Sequence, residues 1–184
     1  MSSLFAPLPR GPYNVIYADP PWKCWIGGTR NASRHYQCLP LDSIKSLPVR
    51  DVCAQNTALL LWVIGPMLPE GIEVMRAWGF RYSGIGFSWI KTYRDGSIAM
   101  SGGNTTRKNV ELCLIGFRGQ WPKEWRASKG VREAYVGPRE RHSEKPQIFR
   151  DRIVQLFGEL PRVELFARVA SPGWDAWGNE LPSE

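Results

Sequence analysis

Two apolar runs in the first third of the chain show no polar alternation: Val15 to Ala18, and Thr57 to Ile64 with Ala58-Leu59-Leu60-Leu61-Trp62-Val63 inside it. A strand wetted on one face alternates, whereas a continuous run of this length predicts a strand covered on both faces, as in a parallel sheet between helices. Leu41 to Leu47 predicts a short helix between the two, and Pro69 to Trp78 a longer one stopped by Gly79. Phe80 to Lys91 reads as a strand region interrupted by Gly84 and Gly86, and Glu111 to Phe117 as the strand that answers it. Pro146 opens a helix with Phe149, Ile153, Leu156 and Phe157 on one stripe, Gly158 closing it and Ser143 a candidate cap. Val163 to Phe166 follows as a short strand, and Pro172 to Glu184 as an irregular tail. Alternating strands and helices imply an α/β doubly wound sheet, mostly parallel with helices on both faces, in which ligands bind beyond the carboxyl ends of the strands. Asp19 and Arg168 each follow a strand at that edge.

Two stretches have no regular period. Tyr93 to Asn109 carries Gly96, Gly102, Gly103, Arg94, Arg107 and Lys108, and a polar loop of that length is functional or disordered. Gly119 to His142 interleaves Trp121, Trp125 and Tyr135 with Lys123, Arg126, Lys129, Arg132, Arg139 and Arg141. That mixture suits a nucleic-acid surface, and it equally suits a solvated loop that packs its tryptophans inward.

Composition narrows the classes. At 184 residues, one domain spanning 1–184 is expected. An excess of 24 Lys and Arg over 17 Asp and Glu, net +7, together with 9 Trp, points to a polyanionic partner, unless the tryptophans fill the core and the charge only aids solubility. Cys24, Cys38, Cys53 and Cys113 form no C-x-x-C pair and only His35 and His142 are present, so no metal site is expected. No signal peptide, membrane span or paired-cysteine framework is evident, which makes a cytoplasmic protein with no membrane partner the expectation.

Asp19-Pro20-Pro21-Trp22, directly after the first apolar run, carries the chemistry. An exocyclic aromatic amine is a poor nucleophile because its lone pair is delocalised into the ring. The Asp19 carboxylate and the following backbone carbonyl each suit acceptance of an N–H bond from such an amine, biasing its nitrogen toward tetrahedral geometry. Pro20 and Pro21 fix φ and offer no competing N–H, and Trp22 supplies a face on which an extruded base stacks, worth about 1–3 kcal/mol. Asp-Pro and Pro-Pro are also common turn signals, so a plain strand-to-loop turn is the alternative.

Further segments fall in order behind the tetrapeptide: His35-Tyr36 before Leu41 to Val49, Leu61-Trp62-Val63, Trp89-Ile90-Lys91, Arg107 to Glu111, His142 to Pro146, Glu164 to Arg168, and Gly173-Trp174 with Gly178-Asn179-Glu180. With them the chain resembles the MT-A70 family of S-adenosylmethionine-dependent adenine N6-methyltransferases, from about Tyr13 to Leu181. The resemblance implies a Rossmann-like methyltransferase fold in which the catalytic strand precedes the cofactor strand. It places Asp19, Pro20, Pro21 and Trp22 at the reacting amine, and Asp19, Lys145, Phe166, Arg168, Asn179 and Glu180 around S-adenosyl-L-methionine, with S-adenosyl-L-homocysteine as product. Lys145 would meet the methionine carboxylate, and Glu180, Arg168 and Asn179 the ribose and adenine. On the acceptor side it implies Tyr36 against the flipped adenine, Lys91 and Glu111 shaping its pocket, and Arg94, Arg107 and Lys108 on phosphates. For Trp62 and Trp89, core packing is at least as good a reading. The glycine-rich loop that many methyltransferases carry after the cofactor strand is missing from Phe166 to Ala170. Any upstream segment covering the cofactor adenine would have to fit within Leu4 to Tyr13.

The expectation is methyl transfer to N6 of adenine in nucleic acid, with DNA favoured over RNA, by a monomer or homodimer to which a partner subunit is a possible addition. The rival is a non-catalytic nucleic-acid-binding subunit of an active methyltransferase, although such partners typically lose the tetrapeptide. Amino-methylation of cytosine or glutamine generally goes with Asn or Ser first, or Tyr last, in that motif.

Overall fold

The computed structural model describes residues 7–23, 38–103, 105–121, 125–139 and 144–181. Its strands are β1 (Tyr13–Ala18), β2 (Cys53–Val63), β3 (Arg81–Thr92), β4 (Val110–Arg118), β5 (Ala134–Pro138), β6 (Arg162–Leu165) and β7 (Asp175–Trp177), and its helices α1 (Leu41–Lys45), α2 (Leu68–Ala77) and α3 (Ile148–Phe157). They form one sheet in the order β5-β3-β4-β2-β1-β6-β7. β1 runs parallel to β2 and β6, β3 to β5, and β6 to β7, while β4 lies antiparallel to both β2 and β3. Because β4 alone is reversed, its first residues share an edge with the last residues of β1, β2, β3 and β6. That single inversion brings Glu111 and Lys91 to the same end of the sheet as Asp19 and Arg168.

The strands at the centre are covered on both faces, as their unbroken apolar runs predict. Ile16, Ala18, Leu59, Leu61 and Val63 point to one side, where they pack with Ile44 of α1 and Val74 and Met75 of α2. Val15, Tyr17, Ala58, Leu60 and Trp62 point to the other and meet Phe149, Ile153 and Phe157 of α3. Each fully buried side chain of this size contributes about 1.5–3 kcal/mol. Gly71 on α2 lets that helix approach β2 closely, since a Cβ there would run into Val63 and Leu114. Gly158 closes α3 with a φ of 71°, a conformation that favours glycine, whereas Ser143 lies outside the described residues.

The helices and central strands match their predicted positions within a few residues. Gly84 and Gly86 appear as irregularities in the β3–β4 register rather than as breaks in the strand. Two strands escape the sequence pattern. β5, inside the stretch read as irregular, borrows its order from β3 through Ser88↔Ala134 to Thr92↔Pro138, and β7 is only three residues laid against β6. Edge strands this short, with Gly137 and Pro138 in one of them, need no apolar period of their own. Trp121 packs on Phe117, Trp125 and Phe157 at centroid distances of 4.8, 5.3 and 5.0 Å, and Tyr135 meets Phe149 edge-on at 5.5 Å, so these aromatics face inward. No helix among the described residues is long and apolar enough to cross a membrane.

A buried ion pair ties α3 to β6. Arg150 Nε and Nη2 donate to Glu164 Oε2 and Oε1 at 2.6 and 2.7 Å, a bidentate fork, and Nη1 reaches the Lys145 carbonyl at 3.4 Å. Both side chains are under one-tenth exposed. Arg150→Met is expected to cost about 3–5 kcal/mol in urea unfolding because it strands a buried carboxylate, and Arg150→Met with Glu164→Leu should recover most of that loss. An equal loss in the single and double variants would show that the pair is not what holds α3 to the sheet.

Candidate active site

As β1 ends, the Asp19 amide donates to Leu165 O at 3.4 Å, so the tetrapeptide starts while still registered against β6. Pro20 then directs its carbonyl to the Trp22 amide at 2.8 Å, and the Pro21 carbonyl accepts the Leu39 amide at 3.0 Å. A carbonyl oxygen has two lone pairs, so the Pro20 oxygen keeps one acceptor site while the Trp22 amide fixes its direction. The prolines contribute no donor, but the residue after them does, a local bond the motif alone did not reveal. Trp22 is not an open stacking platform. It is only 8% exposed, sits in the core cluster, and donates Nε1–H to the Trp62 carbonyl at 2.9 Å. Its indole therefore braces the turn against β2 and presents only its rim to the cleft.

Across the cleft, Lys145 lies in the segment before α3 and is buried. Its Nζ donates to Asp19 Oδ2 at 2.6 Å and lies 3.3 Å from Glu111 Oε2, while Lys91 pairs with the other oxygen of Glu111. Two cations and two carboxylates thus alternate as Lys91, Glu111, Lys145 and Asp19. Burial pushes the Lys145 ammonium down, but Asp19 and Glu111 outweigh it, leaving the group above its ordinary 10.5. Burial pushes Glu111 up, yet the two lysines win and hold it below its ordinary 4.5. Each lysine also lies over an indole, Lys145 at 5.3 Å from the Trp62 ring centroid and Lys91 at 4.7 Å from Trp89. Both tryptophans are buried, as core packing anticipated, and both also touch the ionic row.

The other wall comes from the exit of β6. Phe166 adopts a φ of 63°, which for a bulky residue costs of order 1–3 kcal/mol. The bend is held by an edge-on contact with Trp177 at 5.3 Å and by the Ala167 amide donating to Trp177 O at 2.9 Å. Gly178 lies directly on the Ala167 backbone, where a Cβ would clash. This crossing turns Arg168 toward the cleft and brings Glu180 to 3.8 Å from its guanidinium, with Asn179 exposed beside it. The cleft is lined by Asp19 through Trp22, Trp62, Val63 and Ile64 from β1 and β2, Glu111, Lys145, Arg168 and Cys38.

Asp19, Pro20, Pro21, Trp22, Lys145, Glu111 and Arg168 therefore converge on one opening, with Lys91 one ion pair behind it. Phe166 is buried and supports the wall through its backbone. Arg94, Arg107 and Lys108 are exposed on the segment joining β3 to β4 and make no ion pair among the described residues. Tyr36 lies outside the described residues. The row Lys91-Glu111-Lys145-Asp19 was not visible as a unit in the sequence, since its members come from three strand ends and a loop. Cys38 and Ile64 carried no signal at all.

The cleft thus offers side chains of both charges beside apolar ones. Cationic Lys145 lines the cleft beside Asp19 and Arg168 lines the other wall with Glu180 behind it, and the apolar Trp62, Val63 and Ile64 line it as well. Lys145 is already committed to two carboxylates, so an incoming ligand carboxylate would join that row rather than meet an isolated cation.

Comparison with known proteins bears on the family. The MT-A70 family profile matches residues 13–180. The chain is 32% identical to a Mycoplasma sp. protein named Type II methyltransferase M.MunI, over 99% of the chain and 83% of that protein. It is 28% identical to the zebrafish N(6)-adenosine-methyltransferase subunit METTL3 over 93% of the chain, and 26% identical to the human N(6)-adenine-specific methyltransferase METTL4 over 94%. It spans only 28% and 38% of those two longer proteins. The chain, with its Asp-Pro-Pro-Trp turn at the carboxyl end of β1, belongs to the MT-A70 family of methyltransferases.

Proposed function

We propose that this protein methylates N6 of adenine in nucleic acid, DNA in preference to RNA, with S-adenosyl-L-methionine as methyl donor. The observation that carries the reading is the Asp19-Pro20 acceptor pair, held at the sheet edge by Lys145 and facing a cleft whose far wall bears Arg168 and Glu180. DNA is the substrate to test first, and the Mycoplasma relative, named a Type II methyltransferase, matches over most of both lengths. A relative from Pyricularia oryzae named an RNA methyltransferase is matched over 47% of its own length.

When bound, the cofactor supplies an electrophilic methyl group on a sulfonium centre. Lys145 and Arg168 would hold its anionic and ribose ends, and Glu180 would accept from the ribose hydroxyls. Asp19 and the Pro20 carbonyl each accept an N–H of the adenine amine, which localises the lone pair and aims it at the methyl carbon. Lys145 fixes Asp19 through Oδ2, and Oδ1 accepts no hydrogen bond among the described residues, so an acceptor atom remains for the amine. Alignment of the two reactants supplies the larger share of the rate, up to roughly 7–11 kcal/mol in well-oriented systems. No covalent bond to the protein forms, and the nitrogen that gains the methyl gives up one of its two protons to solvent water.

Incubation with radiolabelled cofactor and matched single- and double-stranded DNA and RNA, followed by nucleoside analysis, is expected to return N6-methyldeoxyadenosine. Label on another base or at another atom would overturn the reading. Cofactor binding that is undetectable by calorimetry, with or without nucleic acid, would favour a non-catalytic subunit instead. Asp19→Asn, isosteric but unable to accept at both oxygens, should lower kcat by about 10²–10³-fold, the usual cost of one oriented transition-state partner. Turnover within a fewfold of wild type would sink the assignment of Asp19.

The ionic row makes a pH prediction as well. Glu111 lies below its ordinary value when folded, so its stabilisation is complete above about pH 4.5 and is lost as pH falls through the lowered value. Lys145 lies above its ordinary value, so its share is complete below about pH 10.5 and is lost as pH climbs past the raised value. Glu111→Gln should cost about 3–5 kcal/mol of unfolding free energy across that window. The gap from wild type should narrow at the acid end as Glu111 takes up a proton and again at the alkaline end as Lys145 gives one up, as urea titrations over a pH series would reveal; a gap that grows on acidification would contradict the row.

A further inference from the structure

Beyond the cleft, on the rim where β3 and β5 end, an exposed stack belongs to none of the residues assigned above. Tyr93 follows β3 and Arg139 follows β5; the Arg139 guanidinium carbon lies 4.8 Å from the Tyr93 ring centroid. Both partners are fixed from below. Tyr93 Oη donates to the Met100 carbonyl at 3.2 Å and accepts the Met100 amide at 3.1 Å, so the ring cannot swing. The Arg139 amide donates to Thr92 O at 3.1 Å, which sets the root of its side chain. Arg139 makes no ion pair among the described residues, although carboxylates satisfy Lys91 and Lys145 nearby. Ile98 and Met100, 48% and 65% exposed, add an apolar rim beside it.

The Arg139 guanidinium thus lies over a fixed ring and has no carboxylate partner among the described residues. An exposed, planar cation beside an exposed ring suits one ligand chemistry, a nucleobase carrying its phosphate. The location fits that ligand. Adjacent strands lie about 4.8 Å apart, so roughly two spacings, about 10 Å, separate the cleft floor on β2 from β3, a distance that a single strand covers within a few nucleotides. Arg94, Arg107 and Lys108 stand exposed on the intervening segment, where phosphates would pass.

We propose that Tyr93 and Arg139 form a subsite for an unstacked base flanking the target adenine, so that the protein engages single-stranded or locally opened nucleic acid. This rests on the reading that nucleic acid is the substrate, but its test needs no turnover. Fluorescence anisotropy would compare a short labelled single strand, one adenine among thymines, with the same strand carrying abasic sites around the adenine. Wild type should prefer the intact strand. Arg139→Lys keeps the charge and loses the plane, and should bind the intact strand roughly tenfold more weakly, with the abasic strand nearly unchanged. Tyr93→Leu should behave like Arg139→Lys, whereas Tyr93→Phe, which keeps the ring, should retain the preference. Calorimetry with S-adenosyl-L-methionine, unchanged in Arg139→Lys, would show that the cleft is intact. Equal binding of both strands by wild type, or an equal loss on both in Arg139→Lys, would overturn the subsite and reduce Arg139 to a charge. If the base preference persists while no methylated nucleoside forms, the proposed reaction fails and the subsite stands.

Discussion

A lysine ammonium buried at the edge of a sheet is tolerable only with its countercharges in place, and much of this active-site geometry follows from that constraint. Lys145 has Asp19 at 2.6 Å and Glu111 at 3.3 Å, supplied by β1 and by the reversed strand β4. Removing either carboxylate leaves a desolvated cation, so the two strand ends and the segment before α3 are held in one relative position. Arg150 extends the same logic behind Lys145, reaching its carbonyl while its fork on Glu164 binds α3 to β6. The Asp19 carboxylate, the helix on one face and the strand leading to Arg168 are thereby coupled through charge.

Two local devices complete the site. After β1 the Pro20 carbonyl is aimed by the Trp22 amide, and Trp22 is braced by the Trp62 carbonyl, so the direction of that carbonyl rests on a buried indole. At the exit of β6 a left-handed Phe166, normally a costly conformation, is held by Trp177 and by the close approach of Gly178 to Ala167. Both arrangements spend packing free energy on placing a polar group at the carboxyl edge of the sheet.

The sequence exposed the parts that carry their own pattern. Val15 to Ala18 and Thr57 to Ile64 announced central strands because burial on both faces removes alternation, and Phe149, Ile153 and Phe157 announced α3 by their spacing. Asp19 to Trp22 was legible because few tetrapeptides combine an acceptor, two fixed φ angles and an aromatic ring. β5 and β7 were not, since an edge strand takes its conformation from its neighbour. The ionic row was likewise hidden, because Lys91, Glu111 and Lys145 meet only after β4 inverts, a matter of topology rather than of local preference. Trp22 shows the opposite failure: its type suggested a stacking face, and packing turned it into a brace.

The central claim is that Asp19 and Lys145 act as one coupled unit joining the acceptor and cofactor sides. A double-mutant cycle on methyl transfer with Asp19→Asn, Lys145→Met and both together tests it most directly. Strong coupling is predicted, with the double variant no slower than the worse single one, as for groups that act together. Losses that simply add, leaving a coupling free energy near zero, would contradict the account.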